Sequence, residues 1–169
     1  MTPNREKIIQ KNIRELLGDL KSGLLKPLEV LQAYQAKALE VDQDINAVCD
    51  FILEATDWAK ALEDIPEEER GALYGLPISV KEWVWVQIFL QMILKWQIQE
   101  CFYVAGYDST IGLAQNIGKP LPADCSFVAG LKELHGIPFC QTNIPQTMLS
   151  WSCSNPIYGN TANPNDKTR

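Results

Sequence analysis

The sequence predicts an α/β fold in which a mixed sheet is covered by helices. Three observations carry this. Apolar residues recur at helical spacing in four stretches, and those stretches alternate with short apolar runs bounded by Gly, Pro and Asn. The third is compositional: 169 residues, 46% hydrophobic and 21% charged, suit a globular domain with a core of its own.

Taken in order, Arg5 to Lys21 places Ile9, Ile13, Leu16, Leu17 and Leu20 on one helical face, with Gly23 as the stop. A second helix starts near Pro27, which suits a first-turn position. Its inner face is Leu28, Leu31, Tyr34, Ala38 and Val41. Asn46 to Ile52 reads as a strand, and Glu54 to Leu62 as a helix packing through Ala55, Trp58, Ala59 and Leu62. Glu67-Glu68-Glu69-Arg70 reads as a solvated linker. Ile78-Ser79-Val80 is a short buried strand between turn residues. Asp124 suits the N-cap of a helix through Leu134, with Phe127, Val128, Leu131 and Leu134 facing the core. Gly136 ends that helix and Ile137 to Gln141 is the next strand. Asn143 then caps a short helix beginning at Pro145, and Ser152 to Pro164, rich in Asn, Pro and Gly, is loop.

Charge and cysteine usage narrow the function. A net charge of −6 argues against nucleic acid as a partner, which calls for a basic face. The five cysteines include no Cys-x-x-Cys pair, so they read as reduced thiols of an intracellular protein, not as a zinc site or disulfide framework. The opening residues lead straight into an amphipathic helix and do not look like a signal peptide.

One lysine stands out. Gly75-Leu76-Pro77-Ile78-Ser79-Val80 runs into Lys81-Glu82. A lysine there can simply bury its stem and keep the ammonium in water. Downstream come Gly106-Tyr107-Asp108-Ser109-Thr110-Ile111-Gly112, Gly136-Ile137-Pro138-Phe139, Thr142-Asn143-Ile144-Pro145-Gln146-Thr147-Met148-Leu149-Ser150 and Cys153-Ser154-Asn155-Pro156-Ile157-Tyr158-Gly159-Asn160-Thr161. Together these ordered motifs resemble the amidase signature family, and within it the animal fatty acid amide hydrolases. The resemblance runs from about Leu16 to the last residue.

It implies an incomplete, N-terminal part of a single amidase domain spanning residues 1–169. It implies amide hydrolysis by a Ser–Ser–Lys triad with Lys81 as the base and Met148 lining the substrate site. The role requires a lysine neutral near pH 7, and burial is what disfavours its charge. No metal or organic cofactor is implied. The substrate implied is a fatty acid amide or other lipid amide, and a membrane surface and a homodimer are the other partners it admits. The alternative is a non-catalytic interaction or membrane-docking scaffold.

Two departures accompany the match. The family pattern runs from Lys-Glu directly into Cys-Phe, whereas here Trp83 to Glu100 separates Lys81-Glu82 from Cys101-Phe102. Gln87, Gln91, Lys95 and Gln99 share one helical face, and the rest of that segment is largely Trp, Val, Ile, Leu, Phe and Met. As a helix it would be about 27 Å long at about 1.5 Å per residue, short of a bilayer core of roughly 30 Å. Lys95 at the centre would oppose insertion by about 2.5–3.5 kcal/mol. Three readings follow in order: a gene-model artefact, an inserted helix packed on a partner or membrane interface, and a transmembrane span. The second departure is that the family's Gly-Gly-Ser-Ser-Gly-Gly stretch and its serines are not among these residues, so the fragment alone is expected to be inactive.

Other chemistry is weaker. His135, the only histidine, sits where a helix C-terminus favours it structurally. Ser150, Ser152 and Ser154 read as loop residues, not nucleophiles.

Overall fold

The computed structural model describes residues 3–81 and 102–168. The segment Trp83 to Glu100 therefore lies outside the described residues, and so do Glu82 and Cys101.

Among the described residues, five helices and a three-stranded mixed sheet make up the main layers. The helices are α1 (Pro3–Ile9), α2 (Ile13–Lys21), α3 (Pro27–Ile45), α4 (Ala55–Glu63) and α5 (Ser126–Glu133). The sheet holds β1 (Val48–Phe51), β2 (Pro77–Lys81) and β3 (Ile137–Thr142) in the order β1–β3–β2. β1 is antiparallel to β3, and β2 is parallel to it. A small hairpin, β4 (Ser154–Asn155) and β5 (Gly159–Asn160), sits within the stretch expected to be all loop.

The central strand explains its own sequence. Ile137 to Gln141 is buried throughout, because β3 is paired on both edges and packed by α4 and α5. A strand so placed reads as a continuous run, not an alternation. Onto it pack Leu16 and Leu20 of α2, Val30, Leu31 and Ala33 of α3, Ala55, Ala59 and Leu62 of α4, and Val128 of α5. Burying each larger aliphatic side chain stabilises the fold by about 1.5–3 kcal/mol.

Four expectations are corrected. The first helix is two. Asn12 accepts a hydrogen bond from the Glu15 amide at 3.0 Å, and the Glu15 carboxylate accepts one from the Asn12 amide. This reciprocal cap starts a new helix at Ile13, which is left 63% exposed. The buried face of α3 is Val30, Leu31 and Ala33, because α3 lies between α1 and α4. Leu28, Tyr34 and Ala38 are only partly buried. The N-cap of α5 is Cys125, whose sulfur accepts from the Val128 amide. Asp124 instead accepts from the Ala105 amide at 2.8 Å and pairs with Lys132 at 2.6 Å. Phe127 and Leu134 are consequently not core residues, and Phe127 packs its ring on Phe102. Finally, Pro145 and not Asn143 caps the expected short helix, which is a single 3₁₀ turn, Gln146–Met148.

The glutamates of the charge run are exposed, as expected, but Arg70 is not a linker residue. Its guanidinium donates to the Lys21 and Ile65 carbonyls and lies 4.8 Å over the Tyr74 ring. The turn that follows aligns the two parallel strands at their starts. Leu73 and Gly75 amides donate to the Leu134 and His135 carbonyls, and the Ile137 amide donates to the Leu76 carbonyl.

Candidate active site

The parallel pairing of β2 and β3 brings their carboxyl ends to one edge, with Lys81 in register with Thr142. In open α/β sheets that edge is where ligands bind. Lys81 is the last residue of β2 and is exposed. Ile78-Ser79-Val80 is not buried as a unit: Val80 faces the core, while Ser79 and Lys81 are exposed. Alternation of this kind belongs to a strand covered on one face only. The burial that the base role requires is thus not supplied by the described residues.

Met148 lies six residues beyond Thr142 and is buried. It follows a bend of unusual backbone: Thr147 and Met148 have φ of 51° and 56°, both left-handed. Ile111, at φ 46°, is left-handed too, and its carbonyl accepts the Thr147 amide at 2.9 Å. Left-handed backbone is uncommon for non-glycine residues and rarer still for β-branched ones. Strain of this kind clusters where surrounding structure over-determines it, often at functional sites. Nothing in composition or periodicity signalled it. Lys81 ends β2, whereas Met148 stands in the turn that follows β3.

The remaining candidates resolve into structure. Ser150 and Ser152 hydroxyls lie 3.1 Å apart in an exposed turn. His135 accepts a hydrogen bond from the Gly71 amide at Nδ1, 3.0 Å away, so it anchors the turn before β2. Among the described residues Cys125, Cys140 and Cys153 are free thiols, and burial pushes the Cys140 thiol up to about 12. Among the described residues no cluster of His, Cys, Asp and Glu could hold a metal ion. No helix among them is long and apolar enough to cross a membrane.

Two further features escaped the sequence reading. Tyr107 accepts from the Leu53 amide at 2.7 Å and donates to Glu54 at 2.6 Å, tying the 102–125 segment to α4. Burial, then the Glu54 carboxylate, pushes its phenol up to about 12. Asn143 and Asn155 form a buried polar link between the end of β3 and the β4–β5 hairpin. Both sat in motifs already noted, but an asparagine in a turn-rich stretch carries no sign of which distant group it meets. Beyond the hairpin an open concavity of about 580 Å³ is lined by Trp151, Ser152, Cys153 and residues 160–165.

A family model described as Amidase matches residues 29–93 and 96–169. Fatty acid amide hydrolase 1 of Caenorhabditis elegans is 36% identical over 171 residues, covering 99% of this chain and 27% of that protein. Fatty-acid amide hydrolase 1 of Sus scrofa is 36% identical, covering 94% of this chain and 24% of its own length. Among solved structures, a fatty acid amide hydrolase superposes with a TM-score of 0.74 at 22% identity, over 97% of this chain and 26% of that one. An amidase crystal structure superposes at 0.66 with 28% identity, over 94% of this chain and 33% of the other. The chain therefore spans about a quarter to a third of the length of the proteins it matches.

Proposed function

The chain belongs to the amidase family, and on that footing we propose that it is the base-bearing N-terminal part of an amide hydrolase acting on fatty acid amides. The observation that supports this is the parallel register of β2 and β3, which pairs Lys81 with Thr142 at their carboxyl ends, the Met148 turn following six residues along the chain. In the proposed reaction the Lys81 amine takes a proton from a bridging serine. That serine in turn activates a second, nucleophilic serine that attacks the amide carbonyl. Met148 lines the site for the acyl part of the substrate. Neither serine lies in a Gly-Gly-Ser-Ser stretch within these 169 residues, so the chain by itself is proposed to turn over no amide. Residues 1–169 are read as part of one amidase domain, with 83–100 as an insertion into it. Long-chain amides partition to membranes, so an intracellular enzyme working at a membrane surface fits the substrate.

The exposure of Lys81 favours a second reading, a non-catalytic scaffold of the same fold. One experiment separates the two. The chain alone, and a hybrid joining it to the C-terminal portion of the Caenorhabditis elegans relative, are assayed with oleamide. The chain alone should show no turnover above a Lys81→Ala control. In the hybrid, Lys81→Ala should lower the rate by about 10²–10⁴, the usual worth of positioned proton transfer. A folded, active hybrid that keeps its rate after Lys81→Ala would end the base assignment. Turnover by the chain alone would end the fragment reading.

A further inference from the structure

Two buried asparagines staple the ends of the loop that carries Met148. Asn155 is 6% exposed and uses all four of its hydrogen-bonding positions. Its Nδ2 donates to Asn143 Oδ1 and to the Ile144 carbonyl, both at 2.8 Å. Its Oδ1 accepts the Ile157 and Tyr158 amides at 3.0 and 2.9 Å. Asn143, equally buried, accepts from the Ile144 amide and donates to the Gly159 carbonyl and the Thr161 hydroxyl. The donor arm of Asn155 therefore closes the loop 144–154 at its base, while its acceptor arm caps the hairpin turn.

Between these ends the backbone passes through Thr147 and Met148, both left-handed. Two contacts reach the middle from outside the loop: the Thr147 amide donates to the Ile111 carbonyl, and Gly112 approaches closely. A Cβ on Gly112 would sit 2.9 Å from Gln146 Cα and 2.8 Å from Asn155 Cβ. Gly112 thus presses on the mid-loop and on Asn155 together. A strained pair of residues persists only where its surroundings hold it, and closure of the loop at its base is part of that hold.

We propose that Asn155 is a positioning residue: its side-chain amide closes the base of the 144–154 loop and so holds Met148 in place beyond the carboxyl end of β3. This rests on the reading of Met148 as a substrate-lining residue.

The test compares the chain with Asn155→Ala and Asn155→Asp after ¹³C-methyl labelling of Met, Ile and Val. Asp, when ionised, keeps both acceptor contacts and loses both donor contacts, so it isolates the closing arm. Both variants should shift the Met148 methyl resonance. Amide exchange at Thr147 and Leu149 should rise about tenfold or more, as expected when buried acceptors lose their donor. Methyls of Ile137 and Val128, in the core, should stay in place. An unmoved Met148 methyl in Asn155→Asp overturns the proposal. So does simultaneous loss of the Ile137 and Val128 signals in both variants, which would make Asn155 a support of the whole fold. Oleamide in detergent micelles is then added to the unsubstituted chain. A Met148 methyl that does not respond removes the substrate-lining reading and leaves the positioning result standing.

Discussion

At the scale of single residues, the two hydrogen bonds of Tyr107 make the most specific electrostatic statement about this chain. Burial first, and the Glu54 carboxylate second, push the phenol from 10.0 to about 12. The same bond, as its largest cause, holds the Glu54 carboxyl below its usual range. The signs follow from linkage. A phenol whose folded value is raised contributes stability that is whole below its unfolded value near 10 and is lost as pH climbs toward about 12. A carboxyl whose folded value is lowered contributes stability above its unfolded value, lost as pH falls through the folded one. Tyr107→Phe should therefore flatten part of the alkaline decline in stability between about 10 and 12. Burial of Cys140, Tyr34 and Tyr74 raises those groups as well and should leave the rest of the slope. Urea unfolding at several pH values above 9 reads this directly, and identical alkaline slopes for the two proteins would refute it. Lys81 is a contrasting residue. Its place at a strand end was legible because an apolar run bounded by turn residues stops there. Its exposure was not, because which face of a strand is covered depends on elements distant in sequence.

At the scale of elements, the joints differ in what fixes them. The break between α1 and α2 rests on a side-chain cap, so Asn12→Ala should cost about 0.5–2 kcal/mol, the usual value of an N-cap. The turn before β2 rests on backbone fit. A Cβ on Gly71 would lie 2.5 Å from the Leu134 carbonyl oxygen and 2.7 Å from its carbon, neither of which can yield as a flexible side chain would. Gly71→Ala should then cost at least as much as overpacking does, about 1–3 kcal/mol, and more than Asn12→Ala. Thermal unfolding that ranks the two the other way would contradict this account of the joint. The same comparison explains what the sequence revealed. Pro27 at the head of α3, Ala55, Ala59 and Leu62 along α4, and Ile137 to Gln141 in β3 were readable because propensity and pattern agree there. The start of α5 was misplaced by one residue because Asp124, a good cap by type, is claimed by Ala105 and Lys132. The helix at Asn12 was read as continuous because its apolar spacing persists across a break that only the Asn12–Glu15 pair dictates.

At the scale of the whole molecule, the described residues leave surface that a closed domain would cover. Among them β1 and β2 each have a single neighbour, so each turns an unpaired row of amides and carbonyls outward. Unpaired edges are templates for association unless charge or a covering element blunts them. Edge charges here are few: Asp50 on β1 and Lys81 on β2. Large apolar side chains stand in solvent as well. Leu53 is 79% exposed just past β1, and Leu149 and Trp151, at 71% and 107%, stand in the stretch between β3 and β4. Single exposed leucines are normal, but large exposed apolar side chains together with open strand edges mark an interface or an aggregation site. The chain should therefore bind a hydrophobic dye in its folded state and self-associate as its concentration rises. Leu149→Ser with Trp151→Ser should weaken both while leaving the unfolding midpoint nearly unchanged, since neither side chain packs in the core. Sedimentation velocity across a range of concentrations, with dye fluorescence alongside, checks the pair of effects. A monodisperse monomer that unfolds cooperatively and binds no dye would mean that these edges need no cover, and would favour an independent scaffold over part of a larger amidase domain.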